Sequence, residues 1–367
     1  MNEYELQLLP PSGEMETFEI LKRLSTAHRH LAELKGIVPS IPNQSILLST
    51  LSLQEAKDSS EIENIVTTHD EMYKAELFSD LVQNSAAKEV SRYANALQSG
   101  YERVKQSRLL TVNHICEIQK QLEDNSAGIR KLPGTELKNQ KTSETIYVPP
   151  QNHQRILELM TNLEQFINDD SICKVDPLIK MAIIHLQFES IHPFYDGNGR
   201  TGRIINILYL VAKGLLDIPV LYLSRFIIQN KDMYYNLLQQ TRISGNWQPW
   251  ILYMLEGIAV TSQQTIRMIK GIRELMMQYK HRIRAELPKI YRQDLINNIF
   301  RHPYTKIDFM KDEIGVSRLT ATKYLDQLAE VGFLKKYKSG RHNYYINEPL
   351  LDLFMNIPDL PKQNSQS

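Results

Sequence analysis

Twelve consecutive residues carry most of the chemistry this chain could perform: His192-Pro193-Phe194-Tyr195-Asp196-Gly197-Asn198-Gly199-Arg200-Thr201-Gly202-Arg203. The His192 imidazole is the side chain here suited to taking up a proton near neutral pH. Asp196 offers hard anionic oxygens, enough for Mg²⁺ when phosphates complete the shell. Gly197 and Gly199 permit a tight turn and close approach of the backbone to a phosphate, and Asn198 can donate an amide hydrogen to an oxygen. Arg200 and Arg203 match phosphate geometry through paired donors. Phe194 is expected to anchor the segment in the core.

The segment lies between two apolar runs, 177–188 and 204–211, that read as helices. A glycine-rich loop opening a helix presents free N–H groups and the positive end of the macrodipole, which suits phosphate. The same dipole disfavours arginines in a first turn, so two of them at i and i+3 imply strong negative charge beside them. The pattern predicts a polyphosphate site with a base next to it. The spacing is not that of a P-loop. A calcium loop starting at Asp196 also fails, because its sixth position is Thr201 and its twelfth Ile207.

Apolar residues recur at three and four over 16–36, 51–76, 83–106, 111–124, 153–170, 177–190, 200–213, 232–242 and 248–275, while strand signals are scarce. A mainly α fold follows, with these helices forming the frame of the loop. The stretch 130–150, RKLPGTELKNQKTSETIYVPP, interrupts the pattern and reads as a β-hairpin lying over the helical body. Past about residue 280 the character changes. Helices over 290–300 and 308–314, the turn Gly315-Val316-Ser317, a helix capped by Ser317, and strands over 333–337 and 343–346 around Ser339-Gly340-Arg341 follow the order of a winged helix-turn-helix. The expected organisation is an N-terminal helical region (1–105), a catalytic core (106–275), a winged helix (285–348) and a polar, disordered tail (356–367).

The 367 residues suffice for two or three domains. A net charge of +1 gives no global field toward nucleic acid or membrane. Apolar runs fall short of the ~18 residues of a spanning helix. The acidic start MNEYELQLLPPSGE has no signal pattern, and Cys116 and Cys173 form no framework, so a cytoplasmic protein without membrane partners is expected.

The string HPFYDGNGRTGR fits the motif of the Fic family, H-x-F-x-[DE]-G-N-G-R-x-x-R, at every defined position, and the resemblance extends over roughly residues 15–260. Fic proteins are mostly AMP transferases: a Tyr, Ser or Thr hydroxyl of a target protein attacks the α-phosphate of ATP and pyrophosphate leaves. The resemblance implies that His192 is the general base and Asp196 the Mg²⁺ ligand. It makes Gly197, Asn198, Gly199, Thr201 and Gly202 part of the ATP cradle, with Arg200 and Arg203 on the β- and γ-phosphates. The 130–150 hairpin resembles the family's flap, which holds the target by strand addition, with Leu137, Lys138 and Asn139 near its tip. Tyr234 and Tyr235 resemble an aromatic pair lining the adenine pocket. His185 reads as a core histidine that orients the loop.

Upstream stands Ser59-Ser60-Glu61-Ile62-Glu63-Asn64, where Ser59 and Glu63 would share a helical face. By itself this is an ordinary polar face. Beside the loop it resembles the family's inhibitory motif, [ST]-x-x-x-E-[GN], on a helix of about 52–65. Glu63 would then pair with Arg203 and withdraw it from the γ-phosphate, and self-modification and hydrolytic removal of AMP are further activities the resemblance allows. A homodimer is a family expectation. Two alternatives stand: a nucleotide-sensing DNA-binding regulator, and a Fic transferase of another phosphate-containing group. DNA contact would run through Ser317, Arg318, Thr320, Thr322, Lys323 and the wing cations Lys335, Lys336, Lys338 and Arg341; a protein-docking winged helix is the other use of that module.

Overall fold

A computed structural model describes residues 6–77, 84–138, 143–339 and 342–356. Asn139 of the expected flap tip, Gly340 and Arg341 of the expected wing, and the tail after 356 lie outside the described residues. The fold is mainly α. Five helices come first: α1 (Phe18–Ile37), α2 (Ser45–Ile62), α3 (His69–Leu77), α4 (Ser85–Ser107) and α5 (Val112–Glu123). A short antiparallel hairpin follows, β1 (Leu137–Lys138) with β2 (Thr145–Tyr147), in which Leu137 faces Tyr147 and Lys138 faces Thr145. Then come α6 (His153–Asn168), α7 (Pro177–Ile191), α8 (Asn198–Ala212), α9 (Leu223–Gln229), α10 (Lys231–Ser244) and α11 (Gln248–Glu286).

The centre of the molecule is α7. Asp176 caps it by accepting from the Leu178 N–H at 2.8 Å, with Pro177 at its first position. Every residue from Leu178 to Ile191 is buried, which explains an apolar run without a polar face. α6, α8 and α11 pack against it, and the Trp250 indole at the start of α11 donates to Ala182 O at 2.7 Å. α4 packs on α5 and α8 at the opposite side of the loop. α1 lies along α11, whose 39 residues run past the expected end at 275 and join the core to the C-terminal segment. α9, seven residues long, is too short for its periodicity to stand out in the sequence.

One expected helix is two. The stretch 51–76 breaks after Ile62, so the helix expected over about 52–65 stops short of Glu63 and Asn64. The cause is a Schellman motif: Asn64 adopts a left-handed conformation (φ 64°), its N–H donates to Glu61 O at 3.0 Å, and the Ile65 N–H donates to Ser60 O at 3.1 Å. Glu63 is the C-cap residue rather than part of a continuous helical face. A second helix then starts through a capping box, in which Thr68 Oγ1 accepts from the Glu71 N–H at 3.1 Å and Glu71 Oε2 accepts from the Thr68 N–H at 3.0 Å.

The C-terminal segment comprises α12 (Gln293–Arg301), β3 (Tyr304–Lys306), α13 (Ile307–Ile314), α14 (Arg318–Glu330), β4 (Lys335–Ser339), β5 (His342–Ile346) and α15 (Glu348–Met355). The three strands form an antiparallel sheet in the order β3-β5-β4. β3 and α15 go beyond the expected elements, and α15 packs back on α11, so this unit extends past residue 348. Several of its cations are ion-paired: Arg318 with Asp308 at 2.5 Å, Lys336 with Asp326 at 2.6 Å, and Lys335 with Glu348 at 2.9 Å. It rests on α2 and α3. Tyr304 stacks on Tyr73 at 5.3 Å, its hydroxyl donates to Asp70 Oδ1 at 3.0 Å, and Ser49 Oγ donates to Arg301 O at 3.1 Å. No helix among the described residues is long and apolar enough to cross a membrane.

The seam between α4, α5 and α8 has no spare volume at Gly100. A Cβ there would lie 2.7 Å from Leu208 Cδ1 and 3.1 Å from Ile118 Cδ1. Gly100→Leu is expected to destabilise the fold by about 3 kcal/mol through overpacking; the midpoint of chemical denaturation measures it, and an unchanged midpoint would contradict the packing described.

Candidate active site

The loop begins where α7 is forced to stop. Pro193 cannot continue the helix, and His192, its C-cap, turns into the left-handed region (φ 48°) while its N–H still donates to Phe188 O at 3.0 Å. A histidine held there is mildly strained, so its surroundings must secure it. Arg130 does so. Its Nε donates to His192 O at 2.9 Å, its backbone N–H donates to Pro193 O at 2.9 Å, and its Nη2 donates to Pro150 O. Arg130 is fully buried. It therefore gathers both ends of the 130–150 excursion and the loop onto one guanidinium. Tyr195 adds a second fastening, its hydroxyl oxygen accepting from the N–H groups of Lys131 and Leu132 at 2.9 and 3.1 Å. Neither tie is visible in the sequence, where Arg130 is one cation at the edge of a turn-rich stretch.

Phe194 is buried, and the Asn198 side chain closes the loop: its Oδ1 accepts from the Phe194 N–H and its Nδ2 donates to Phe194 O, both at 2.9 Å. Asn198 is thus a brace within the loop, and its amide is not turned outward. Gly197 (φ 75°) opens α8, and the Thr201 N–H makes the first helical bond to Gly197 O at 2.9 Å. Asp196 is exposed, with Oδ1 accepting from the Gly197 N–H at 2.7 Å.

Glu63 lies across the N-terminus of α8. Its Oε1 accepts from Arg203 Nη2 at 2.7 Å and its Oε2 from Arg200 Nε at 3.2 Å. A Cβ on Gly199 would run into Glu63 Oε1, so the glycine is what admits the carboxylate. Ser59 holds the far side of Arg203, with Oγ accepting from Nε at 2.7 Å and the carbonyl from Nη2 at 2.9 Å. Asn64 Oδ1 accepts from Lys231 Nζ at 3.0 Å. Arg200 has two further partners that the sequence did not disclose: Nη1 donates to Glu89 at 2.8 Å and Nη2 to Glu123 at 2.9 Å. Both arginines are buried. The negative charge demanded by two cations at the positive end of a helix comes from the chain's own carboxylates.

Burial pushes the His192 imidazole down to about 4, with the Arg242 and Arg130 guanidiniums acting in the same direction. It is neutral at pH 7, the form that accepts a proton, and its Nδ1 is buried without a protein partner. His185 is likewise neutral and structural. It stacks on Trp250 at 5.8 Å, and its Nε2 lies 2.8 Å from the Tyr234 hydroxyl. Tyr234 is sealed in this aromatic cluster at 1% exposure, whereas Tyr235 packs edge-on against it and is 45% exposed. The pair thus presents one ring to solvent. Leu137 and Lys138 form β1. The hairpin's other strand is pinned to the core, since the Tyr147 hydroxyl donates to Ser190 O at 2.8 Å beneath the Arg242 guanidinium.

A sequence model of the Fic/DOC family matches residues 109–210, one of the Fic/DOC family N-terminal region matches 21–102, and one of the protein adenylyltransferase SoFic-like C-terminal domain matches 275–350. Protein adenylyltransferase fic-1 of Caenorhabditis elegans is 27% identical over 121 residues, 33% of this chain and 22% of that relative. Protein adenylyltransferase Fic of Drosophila erecta is 24% identical over 147 residues, 40% of this chain and 28% of that relative. The matches thus reach about a quarter of those relatives' own length. A Fic family protein from Desulfovibrio desulfuricans G20 shares the fold at a TM-score of 0.59 and 18% identity, over 92% of this chain and 98% of that one. Residues 134–508 of Fic-1 from C. elegans do so at 0.51 and 20% identity, over 68% and 73%.

Glu189, one turn before His192, is buried under Gly202 with Oε1 lacking a protein partner. Burial, with the Glu63 charge adding to it, pushes its carboxyl up to about 7 against the pull of Arg203. The folded chain then holds a proton that the unfolded chain has released, so stability falls as pH rises from the ordinary carboxyl range through about 7. Glu55 and Glu123 shift the same way. Between about pH 5 and about pH 8, Glu189→Gln should lose less stability than the wild type in chemical denaturation; equal losses would show that Glu189 ionises normally.

Proposed function

Because the chain belongs to the Fic/DOC family, we propose that it is a protein adenylyltransferase, moving AMP from ATP to a hydroxyl of a target protein with release of pyrophosphate, and that Glu63 restrains it. The observation that carries this reading is the carboxylate of Glu63 lying across the N-terminus of α8 between Arg203 and Arg200. A place that accepts one anion between two guanidiniums and a helix N-terminus has the chemistry to accept a phosphate.

In this reading the new bond forms between the target oxygen and the α-phosphorus while the bond to the β-phosphate oxygen breaks. The hydroxyl proton passes to the neutral His192 imidazole, and pyrophosphate carries away the charge. Arg203 and Arg200 hold the phosphates, and Tyr235 offers a ring face for the adenine. Phosphoryl-type transfer depends mainly on such positioning and charge stabilisation. Asp196 fits a Mg²⁺ role: its carboxylate is exposed at the loop, where one protein oxygen ligand suffices when phosphates and water complete an octahedral shell. The ion would neutralise phosphate charge. The apolar side chains of Ile146 and Val148, half-exposed on the hairpin, support a target segment laid alongside it.

Glu63 competes with the nucleotide for Arg203. Glu63→Gly should raise incorporation of label from radiolabelled ATP into protein by about tenfold or more, a common size for site-to-site coupling. Adding His192→Ala should lower it again by a factor of about 10² to 10⁴. Equal labelling by wild type and Glu63→Gly would sink the restraint, and undiminished labelling after His192→Ala would sink the base.

For the C-terminal segment, read as a winged helix, the pairing of Arg318, Lys335 and Lys336 with neighbouring carboxylates supports protein docking over DNA contact. No shift of duplex DNA is expected even at about 50 mM salt, where phosphate contacts are strongest; a salt-sensitive shift would restore the DNA reading.

A further inference from the structure

Arg200 is held by more than the glutamate that spans the site. Its three guanidinium nitrogens donate to three carboxylates from three helices: Nε to Glu63 at the end of α2, Nη1 to Glu89 on α4, and Nη2 to Glu123 at the end of α5. Glu63 is shared with Arg203, but Glu89 and Glu123 are not. If Glu63 withdraws, Arg203 keeps Ser59 and Arg200 keeps an anchor on each Nη. What is freed on Arg200 is Nε, the donor turned toward the helix N-terminus.

We propose that Glu89 and Glu123 are positioning residues, which hold the Arg200 guanidinium so that Nε meets an incoming phosphate oxygen without rearrangement. This rests on reading the site as a nucleotide site. The two anchors are built into the frame. α4 and α5 pack on each other and on α8, and the Glu123 carboxyl fills the space over Gly197 that a Cβ would occupy. Glu63, by contrast, is the C-cap just past α2, in the Schellman turn, whereas Glu89 lies within α4 and Glu123 closes α5. When Glu63 withdraws, Arg200 thus keeps two carboxylate anchors, whereas Arg203 keeps the neutral partners of Ser59.

The test uses the full chain carrying Glu63→Gly, with tripolyphosphate as the probe in calorimetry and labelled ATP transfer alongside. Glu89→Ala and Glu123→Ala should each weaken tripolyphosphate binding by about tenfold, the scale of one charge-assisted anchor. The corresponding Gln variants should recover most of it, since the amide oxygen still accepts from Nη. Combined with Arg200→Ala, neither should cost anything further, because both act through that side chain. Losses that add to that of Arg200→Ala would mean a general structural role and overturn the proposal, as would unchanged or tighter binding. If binding follows the expected pattern but no label moves from ATP, the transferase reading fails and the positioning role stands. If label moves and the losses are additive, the reverse holds. No tripolyphosphate binding to the Glu63→Gly chain would remove both.

Discussion

Two guanidiniums buried three residues apart at the start of a helix are the constraint around which this molecule is arranged. The α8 dipole opposes them and burial strips their water, so neither Arg200 nor Arg203 is tolerable without close negative partners. Those partners come from the end of α2, from α4 and from α5, all far from α8 in the chain. The loop's glycines fall into place around the same need. A side chain on Gly197 would meet Glu123, one on Gly199 would meet Glu63, and one on Gly202 would meet Glu189. Each glycine stands under a carboxyl group. Backbone freedom at Gly197 is real, with φ at 75°, but the shared reason for the three is room for acids.

The same pairing gives the proposed restraint its character. Glu63 presents to the helix N-terminus what a phosphate would present, two oxygens spread over two guanidiniums, so in the proposed reading carboxylate and nucleotide would exclude each other by occupying one electrostatic niche. Its place in the chain matters as much as its charge. A Schellman-capped helix end can come undone over a few residues while the packed interior of α2 stays in place.

The loop and the side chains it gathers were legible in the sequence because they are local. A base, a carboxylate, a glycine turn and an arginine pair occupy twelve residues, and their alternation with buried Phe194 follows from spacing alone. Glu63 was legible only through its likeness to a known motif. The break beside it had written signals: Asn64 is a good left-handed C-cap, and Thr68-His69-Asp70-Glu71 has the spacing of a capping box. Apolar periodicity masked both. Arg130, Glu89 and Glu123 were beyond reach. Arg130 lies 62 residues from His192, and Glu123 and Glu89 lie 77 and 111 residues from Arg200, with nothing local to mark them. Only the packing of α4, α5 and the hairpin base against α8 brings them in. The resemblance that paired Tyr234 with Tyr235 did not tell them apart; helical geometry buries the first and leaves the second half-exposed.

Arg130 has a consequence for how the hairpin can vary. Because its guanidinium and backbone bind Pro150 on one side and His192-Pro193 on the other, the chain between 130 and 150 is a loop whose ends are already closed. For a flexible loop with closed ends, doubling its length costs only about 0.6 kcal/mol. Between the ties at Lys131, Leu132 and Tyr147, the excursion can therefore be lengthened with little mechanical effect on His192. Such a frame separates the part of the molecule that must stay fixed from a part whose length is free to vary.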